Sequence, residues 1–276
     1  MCAVKERFVE KPNLPESKVT TAAVSGAYPE ILEALKAHGI RCVTTEFDTR
    51  LPDPIAYHAD MQMFHLDKGR TFVLRGEEAL KKQLTDIGYQ VAETAMTPEP
   101  KYPKDVLCNM LNLNGTVLAN LGVMDPNIYT CLEDAGLKMR HVNQGYTRCA
   151  TAVVAKDAII TMDLGIRALA QFLGIDVLLV HEENVFLDGY DYGFLGGCCG
   201  LIDKNVVAFT GKLDSLECAA EIRAFLEKHC VQYIELTQNQ MIDIGGILPL
   251  NACVFMYKHP NTHISKQIHT EAYKGA

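Results

Sequence analysis

The sequence predicts an α/β fold: a single domain built as a five-bladed α/β propeller of strand–strand–helix–strand (ββαβ) units with pseudo-five-fold symmetry. The N- and C-terminal segments share one unit and so close the ring. Three observations predict this. First, a helical pattern ending in glycine and followed at once by a short apolar strand recurs at Gly39, Gly88, Gly136 and Gly174, and once more with Cys230 in the glycine's place. Gly39 and Cys230 lie 191 residues apart over four intervals, a mean period of about 48. Second, hairpin patterns precede four of the five helices, at Tyr57–Leu74, Tyr102–Ala119, Tyr146–Met162 and Phe194–Phe209. Third, the first helix has no hairpin before it and the hairpin-like Met241–Tyr257 has no helix after it, so the two ends complete a fifth unit together.

Taken in order, residues 1–19 are rich in Lys, Glu and Pro and read as a loose lead-in to a domain over residues 20–258. Tyr28–His38 is the first helix, with Pro29 suited to its first turn, and the strand IRCVTT follows Gly39. The stretch Tyr57–Leu74 carries apolar Met61, Met63 and Phe64 into Leu66, turns at Lys68-Gly69 and returns through Thr71–Leu74. A helix over Glu77–Ile87 and the strand YQVAET complete that unit. Pro98, Pro100 and Pro103 make Ala95–Pro103 a connector. The second hairpin turns at Asn114-Gly115, and the third has apolar strands around Lys156-Asp157. The fourth unit follows the loop Glu182–Gly193, carries Gly193, Gly196, Gly197 and Gly200, and has its helix over Ser215–His229. Its glycines lack the Gly-Lys-Ser/Thr ending of a phosphate-binding loop and suit strands that approach one another at the ring centre. Residues 259–276 read as a tail, and its His259, His263 and His269 fit no compact metal-ligand spacing.

Hydrophobic residues make up 48% of the chain and charged residues 22%, as in an ordinary globular domain. The net charge of −8 and pI near 5.6 argue against nucleic acid or an anionic membrane as partner, and favour a cationic or neutral small molecule. The first residues, MCAVKERFVE, are charged where a signal peptide is apolar, and no apolar run reaches the ~18 residues of a membrane span. The expected location is cytoplasmic, which makes the ten cysteines reduced thiols, mostly small core residues. No cofactor is expected, because neither a CxxC pair nor a cofactor-binding motif occurs.

The repeat itself nominates a site. Counting back from each hairpin turn to the place Asp60 holds gives Asp105, Arg148, Gly196 and Asp243, five positions expected to face one another at the mouth of the ring. Three carboxylates and a guanidinium grouped there suit recognition of a cation, although aspartates near turns also serve as backbone caps. Tyr190-Asp191-Tyr192 is either a wall on which a planar cation stacks or a packed loop.

Five ββαβ units closed into a ring resemble the pentein fold of the guanidine-modifying enzyme superfamily, over roughly residues 20–258. His58-Ala59-Asp60-Met61 resembles the His-x-Asp stretch of arginine-deiminase-like members, and Tyr146-Thr147-Arg148-Cys149 their Phe-Thr-Arg-Asp stretch, with Cys149 at the aspartate. Gly245-Gly246 followed by Cys253 resembles their C-terminal glycine run before a nucleophilic cysteine. The chain departs from that pattern. Gly246 and Cys253 are seven residues apart, and the His-x-Asp stretch comes before the Thr-Arg stretch rather than after it, as in an uncharacterised branch. The resemblance implies covalent catalysis on a small guanidino compound by a hydrolase or amidinotransferase. Its nucleophile would be Cys149 or Cys253, its acid/base His58, with Asp60 contributing charge and His65 and His181 as alternative histidines. Asp105, Arg148, Asp191, Tyr192 and Asp243 would hold the substrate. Arg148 beside Cys149 is expected to make a thiolate available; a small apolar residue opening a buried strand is the plainer account of that cysteine. The rival function is a pentein that binds a small cationic ligand or a protein partner without catalysis, and a different chemistry on the same ring is a third.

Overall fold

The computed structural model describes residues 5–254, so His259, His263 and His269 lie outside the described residues. Five small sheets follow one another along the chain. The first full unit is a short helical turn α2 (Ala59–Gln62), the hairpin β4 (Met63–Asp67) and β5 (Arg70–Val73), helix α3 (Glu78–Asp86), and β6 (Gln90–Glu93). The second is β7 (Leu111–Leu113), β8 (Thr116–Ala119), α4 (Pro126–Asp134) and β9 (Lys138–His141). The third is β10 (Thr151–Ala155), β11 (Ala158–Thr161), α5 (Leu164–Phe172) and β12 (Asp176–Leu179). The fourth is β13 (Cys199–Asp203), β14 (Val206–Phe209), α6 (Ala219–Lys228) and β15 (Gln232–Glu235). In each, the first two strands pair antiparallel, and the strand after the helix returns parallel to the second.

The fifth unit is assembled from both ends of the chain. β16 (Leu248–Cys253) supplies its first strand and pairs antiparallel with β2 (Val19–Ser25). Helix α1 (Pro29–Ala37) then leads to β3 (Arg41–Thr45), parallel to β2. Closure therefore needs only one C-terminal strand among the described residues rather than the expected hairpin. The lead-in is also more ordered than its composition suggests. β1 (Glu6–Phe8) adds to the free edge of β16, the Val9 amide donates to the Leu250 carbonyl at 2.7 Å, and Asn13 is buried.

Local chemistry explains the repetition. Each long helix buries a pair one turn apart: Ile31 and Leu35, Leu80 and Leu84, Ile128 and Leu132, Ile166 and Ala170, Ile222 and Leu226. Each fully buried aliphatic side chain there contributes about 1.5–3 kcal/mol of apolar transfer, enough to seat a nine-residue helix on its sheet. The closing glycines Gly39, Gly88, Gly136 and Gly174 all have φ between 67° and 93°, and Cys230 takes the same left-handed place at 55°. Asn114 and Gly115, at φ 49° and 83°, form the mirror-image two-residue turn their sequence calls for.

Hydrogen bonds run round the ring from unit to unit. The Asn112 side-chain amide donates to the Leu66 carbonyl, the Arg148 amide to Asn109 Oδ1, and the Gly197 amide to the Cys149 carbonyl. The Gly246 amide donates to the Gly197 carbonyl and the Asp60 amide to the Gly245 carbonyl, which returns to the first unit. These contacts need glycine: a Cβ on Gly196 would lie 2.4 Å from the Cys149 carbonyl oxygen, and one on Gly197 would strike the Asp243 carboxylate.

Candidate functional site

The five repeat-equivalent positions lie in the segments that lead into the first strands, not on the strands themselves: Asp60 within α2, and Gly196 in a 3-10 turn over Leu195–Cys198. From those turns four of the five converge on the axis. Asp60 is within electrostatic reach of Arg148 and Asp243, and the Arg148 guanidinium donates to the Gly196 carbonyl at 3.0 Å. Asp105 is drawn aside, where its carboxylate accepts from the Tyr146 hydroxyl at 2.5 Å. Burial raises its pKa and Tyr146 opposes the rise.

At the centre three side chains from two units meet. His58, Asp60 and Cys149 are 1%, 1% and 2% exposed, and one donor atom from each lies within 4.8 Å of the others. His58 precedes the first turn of α2 and Asp60 sits inside it, so the helix start fixes both; the Asp60 amide is tied to the Gly245 carbonyl at 3.3 Å. The Cys149 thiol donates to Asp60 Oδ2 at 2.9 Å. Asn109 holds the cysteine in place. Its Oδ1 accepts the Arg148 and Cys149 amides at 2.9 and 3.3 Å, and its Nδ2 donates to the sulfur at 3.0 Å. Asp243 is fixed by the Phe194 and Gly245 amides at 2.8 and 3.0 Å and comes within 3.8 Å of His58 Nδ1. Gly245, at φ 75°, allows this approach, since a Cβ there would meet the His58 Cβ at 2.4 Å.

His58 and Cys149 of this trio line a cavity of ≈ 280 Å³ together with Asp243, and Tyr146, Tyr190 and Phe194 are among its aromatic walls. Asp191 and Tyr192 also line it and are exposed to solvent. Asp60 and Arg148 line instead a second, small cavity of ≈ 20 Å³ with Asn13, His65 and Asn112. The trio thus separates two spaces, with the guanidinium on the far side.

That placement corrects the expectation for Arg148. Its guanidinium bonds Asn13 Oδ1 at 3.1 Å and the Gly196 carbonyl, because a residue and its neighbour in a tight turn point in different directions. Burial, then the charges of Asp60 and Asp243, raise the Cys149 pKa well above the ordinary thiol value. Burial likewise raises Asp60, to about 7, against the opposing charge of Arg148, and burial lowers His58 while Asp243 opposes it. Cys253 is not brought to the site: it ends β16, pairs with Glu6 and lines neither cavity. His181 is exposed beside Glu183, and His65 lines the small cavity. Sequence reasoning missed Asn13, Asn109 and Tyr146. Asn109 is one of three asparagines in CNMLNLNG, and its partners lie about forty residues further on, so no local signal marks it.

No helix among the described residues is long and apolar enough to cross a membrane. No curated protein matches the sequence. Among solved structures, a cysteine-to-serine variant of DDAH from Pseudomonas aeruginosa complexed with citrulline is 10% identical. It covers 86% of this chain and 100% of its own, at a TM-score of 0.54. The inosamine-phosphate amidinotransferase of Streptomyces griseus is 10% identical over 88% of this chain and 97% of its own, with TM-score 0.53. SxtG, an amidinotransferase from Microseira wollei in the saxitoxin biosynthetic pathway, is 10% identical over 82% and 91%, with TM-score 0.52. These likenesses show the fold alone, the pentein fold. Residues 23–248 match the family of unknown function DUF6873, and the chain belongs to that family.

Proposed function

We propose that the larger cavity is the active site of an enzyme modifying a small guanidino or related cationic compound, a hydrolase or an amidinotransferase, with Cys149 as nucleophile. The observation that carries this reading is that a thiol and an imidazole, Cys149 and His58, line an aromatic-walled cavity while the Asp60 carboxylate accepts from the thiol beside them. The fold neighbours named above include a protein complexed with citrulline and two amidinotransferases, which supports the same chemistry.

The roles follow from position. Tyr146, Tyr190 and Tyr192 offer π faces to a planar cation, and Asp243 and Asp191 accept its N–H groups. Asp105 orients Tyr146, and the Arg148 guanidinium positions the turn that carries Cys149 by donating to the Thr151 and Gly196 carbonyls. A bound cation beside the sulfur offsets the two carboxylates that hold the thiol protonated, so the nucleophile forms when substrate is present. The thiol proton passes to Asp60, and sulfur bonds to the guanidinium carbon. The carbon–nitrogen bond to the leaving amine then breaks as the proton returns through His58, leaving a cationic amidino-thioether. Water or an acceptor amine, losing a proton to His58, attacks that carbon and releases the sulfur.

The second reading is a ring that binds a cationic small molecule or a protein partner without catalysis. It is favoured by the same raised thiol, which stays protonated at neutral pH in the ligand-free protein. A panel of guanidino compounds, assayed for released amine, ammonia and ureido product, tests the choice. Turnover that Cys149→Ala abolishes, with Cys253→Ala unaffected, is expected. Saturable binding with no product from any compound would favour the second reading.

A further inference from the structure

We propose that His58, Asp60 and Cys149 form a binding site for one transition-metal dication of the zinc class, with a remaining coordination position open to the large cavity. This inference goes beyond the enzymatic reading and does not depend on it.

Three observations carry it. The donors are of the right kind: an imidazole nitrogen, a carboxylate oxygen and a sulfur, all within 4.8 Å of one another. That mixture of borderline and soft donors suits Zn²⁺ or Co²⁺ and excludes Mg²⁺ and Ca²⁺, which take oxygen ligands. The donors are also free to bind. Both ring nitrogens of His58 and Oδ1 of Asp60 are buried with no hydrogen-bond partner among the described residues. A buried polar atom left unpaired is destabilising, and three at one point, on side chains 1% exposed, mark a place built for an occupant. Finally, the surroundings are those that orient metal ligands. Asp243, held by two backbone amides, places a carboxylate 3.8 Å from His58 Nδ1, close enough to act on the ring by charge, and Asn109 fixes the cysteine turn through three hydrogen bonds. Three protein ligands with a fourth position facing a cavity is the arrangement of metal sites that keep room for water or a ligand.

On binding, the metal–sulfur bond forms as the thiol proton leaves to solvent, and the contact between Cys149 and Asp60 is replaced by coordination of both. A metal-filled trio and a nucleophilic Cys149 are therefore mutually exclusive states of one site.

The test is titration of the chelator-stripped full-length protein with Co²⁺, read by thiolate-to-cobalt charge-transfer and d–d absorption, then displacement with Zn²⁺. One equivalent per chain with a single sulfur ligand is expected. Cys149→Ser should remove the charge-transfer band, and His58→Ala and Asp60→Asn should each weaken binding about tenfold or more. Cys230→Ser and a variant with His259, His263 and His269 all replaced by alanine should leave it unchanged. Zinc-edge X-ray absorption of the unmutated protein gives the donor set without relying on any variant. No bound metal at micromolar concentration, a spectrum without sulfur, or a signal insensitive to Cys149→Ser would overturn the proposal. Guanidino turnover by the stripped protein bears on the enzymatic reading alone.

Discussion

Arg148 and Cys149 are adjacent in sequence and line different cavities. Adjacency suggested that the guanidinium lowers the thiol pKa; the fold turns it toward Asn13 and Gly196 instead, and the thiol is raised. The candidate site was legible to the extent that the repeat nominated Asp60, Arg148 and Asp243, and that His58 and Cys149 lay within two residues of two of them. Asn109 and Tyr146 were not legible, because a hydrogen bond across forty residues leaves no trace in local pattern. His65 gives a sharp residue-scale prediction. Burial lowers its pKa from 6.5 to about 4 in the folded protein. Between those values the unfolded chain holds a proton that the folded one does not, so stability falls as pH drops from about 6.5 toward 4 and levels off below. The loss attributable to this group is about 3 kcal/mol. Urea unfolding of His65→Gln against the unmutated protein at pH 7 and pH 4 measures it: the variant should lack this part of the acid sensitivity, and an unchanged pH slope would remove His65 from the account.

At the scale of the element, the five helix–glycine–strand patterns were readable because a left-handed C′ residue and an i, i+4 apolar pair are short-range signals. Helices α1, α3 and α6 fall within the expected stretches, α4 and α5 each begin two residues before the expected pattern, and a strand follows each helix as expected. Strand β1 and the single-stranded C-terminal closure were not readable, because an edge strand of three residues carries no periodicity. Cys230 stands in left-handed conformation where its four counterparts are glycine. Cys230→Gly relieves about 1–2 kcal/mol of backbone strain and adds roughly 0.4–1 kcal/mol of unfolded-state entropy. The denaturation midpoint should therefore rise, by a net of about half to one kcal/mol; a drop would contradict the capping argument. Gly245→Ala should act the other way. The added methyl meets His58, so stability should fall by about 2 kcal/mol or more, and binding of any cavity ligand should weaken with it.

At the scale of the molecule, closure rests on β16 reaching β2 and on hydrogen bonds that pass through all five units. The Val254 amide donates to the Lys5 carbonyl at 2.8 Å, so the ends of the described chain are neighbours. A circular permutant that joins them through a short linker, opened at the Lys204-Asn205 turn, should fold with one cooperative transition; two separated transitions would show that the units do not close on one another. The same closure brings the thiol of the third unit to the imidazole and carboxylate of the first, and this convergence under a carboxylate-rich, aromatic-walled cavity is the central claim. It is tested most directly by labelling the unmutated, chelator-treated protein with a small cationic haloamidine and with the neutral haloacetamide of the same size, and locating adducts by mass spectrometry. The cationic reagent is expected to modify Cys149 far faster than the neutral one, and Asp243→Asn to narrow the difference. Equal rates for the two reagents, or modification confined to the exposed Cys230, would contradict it.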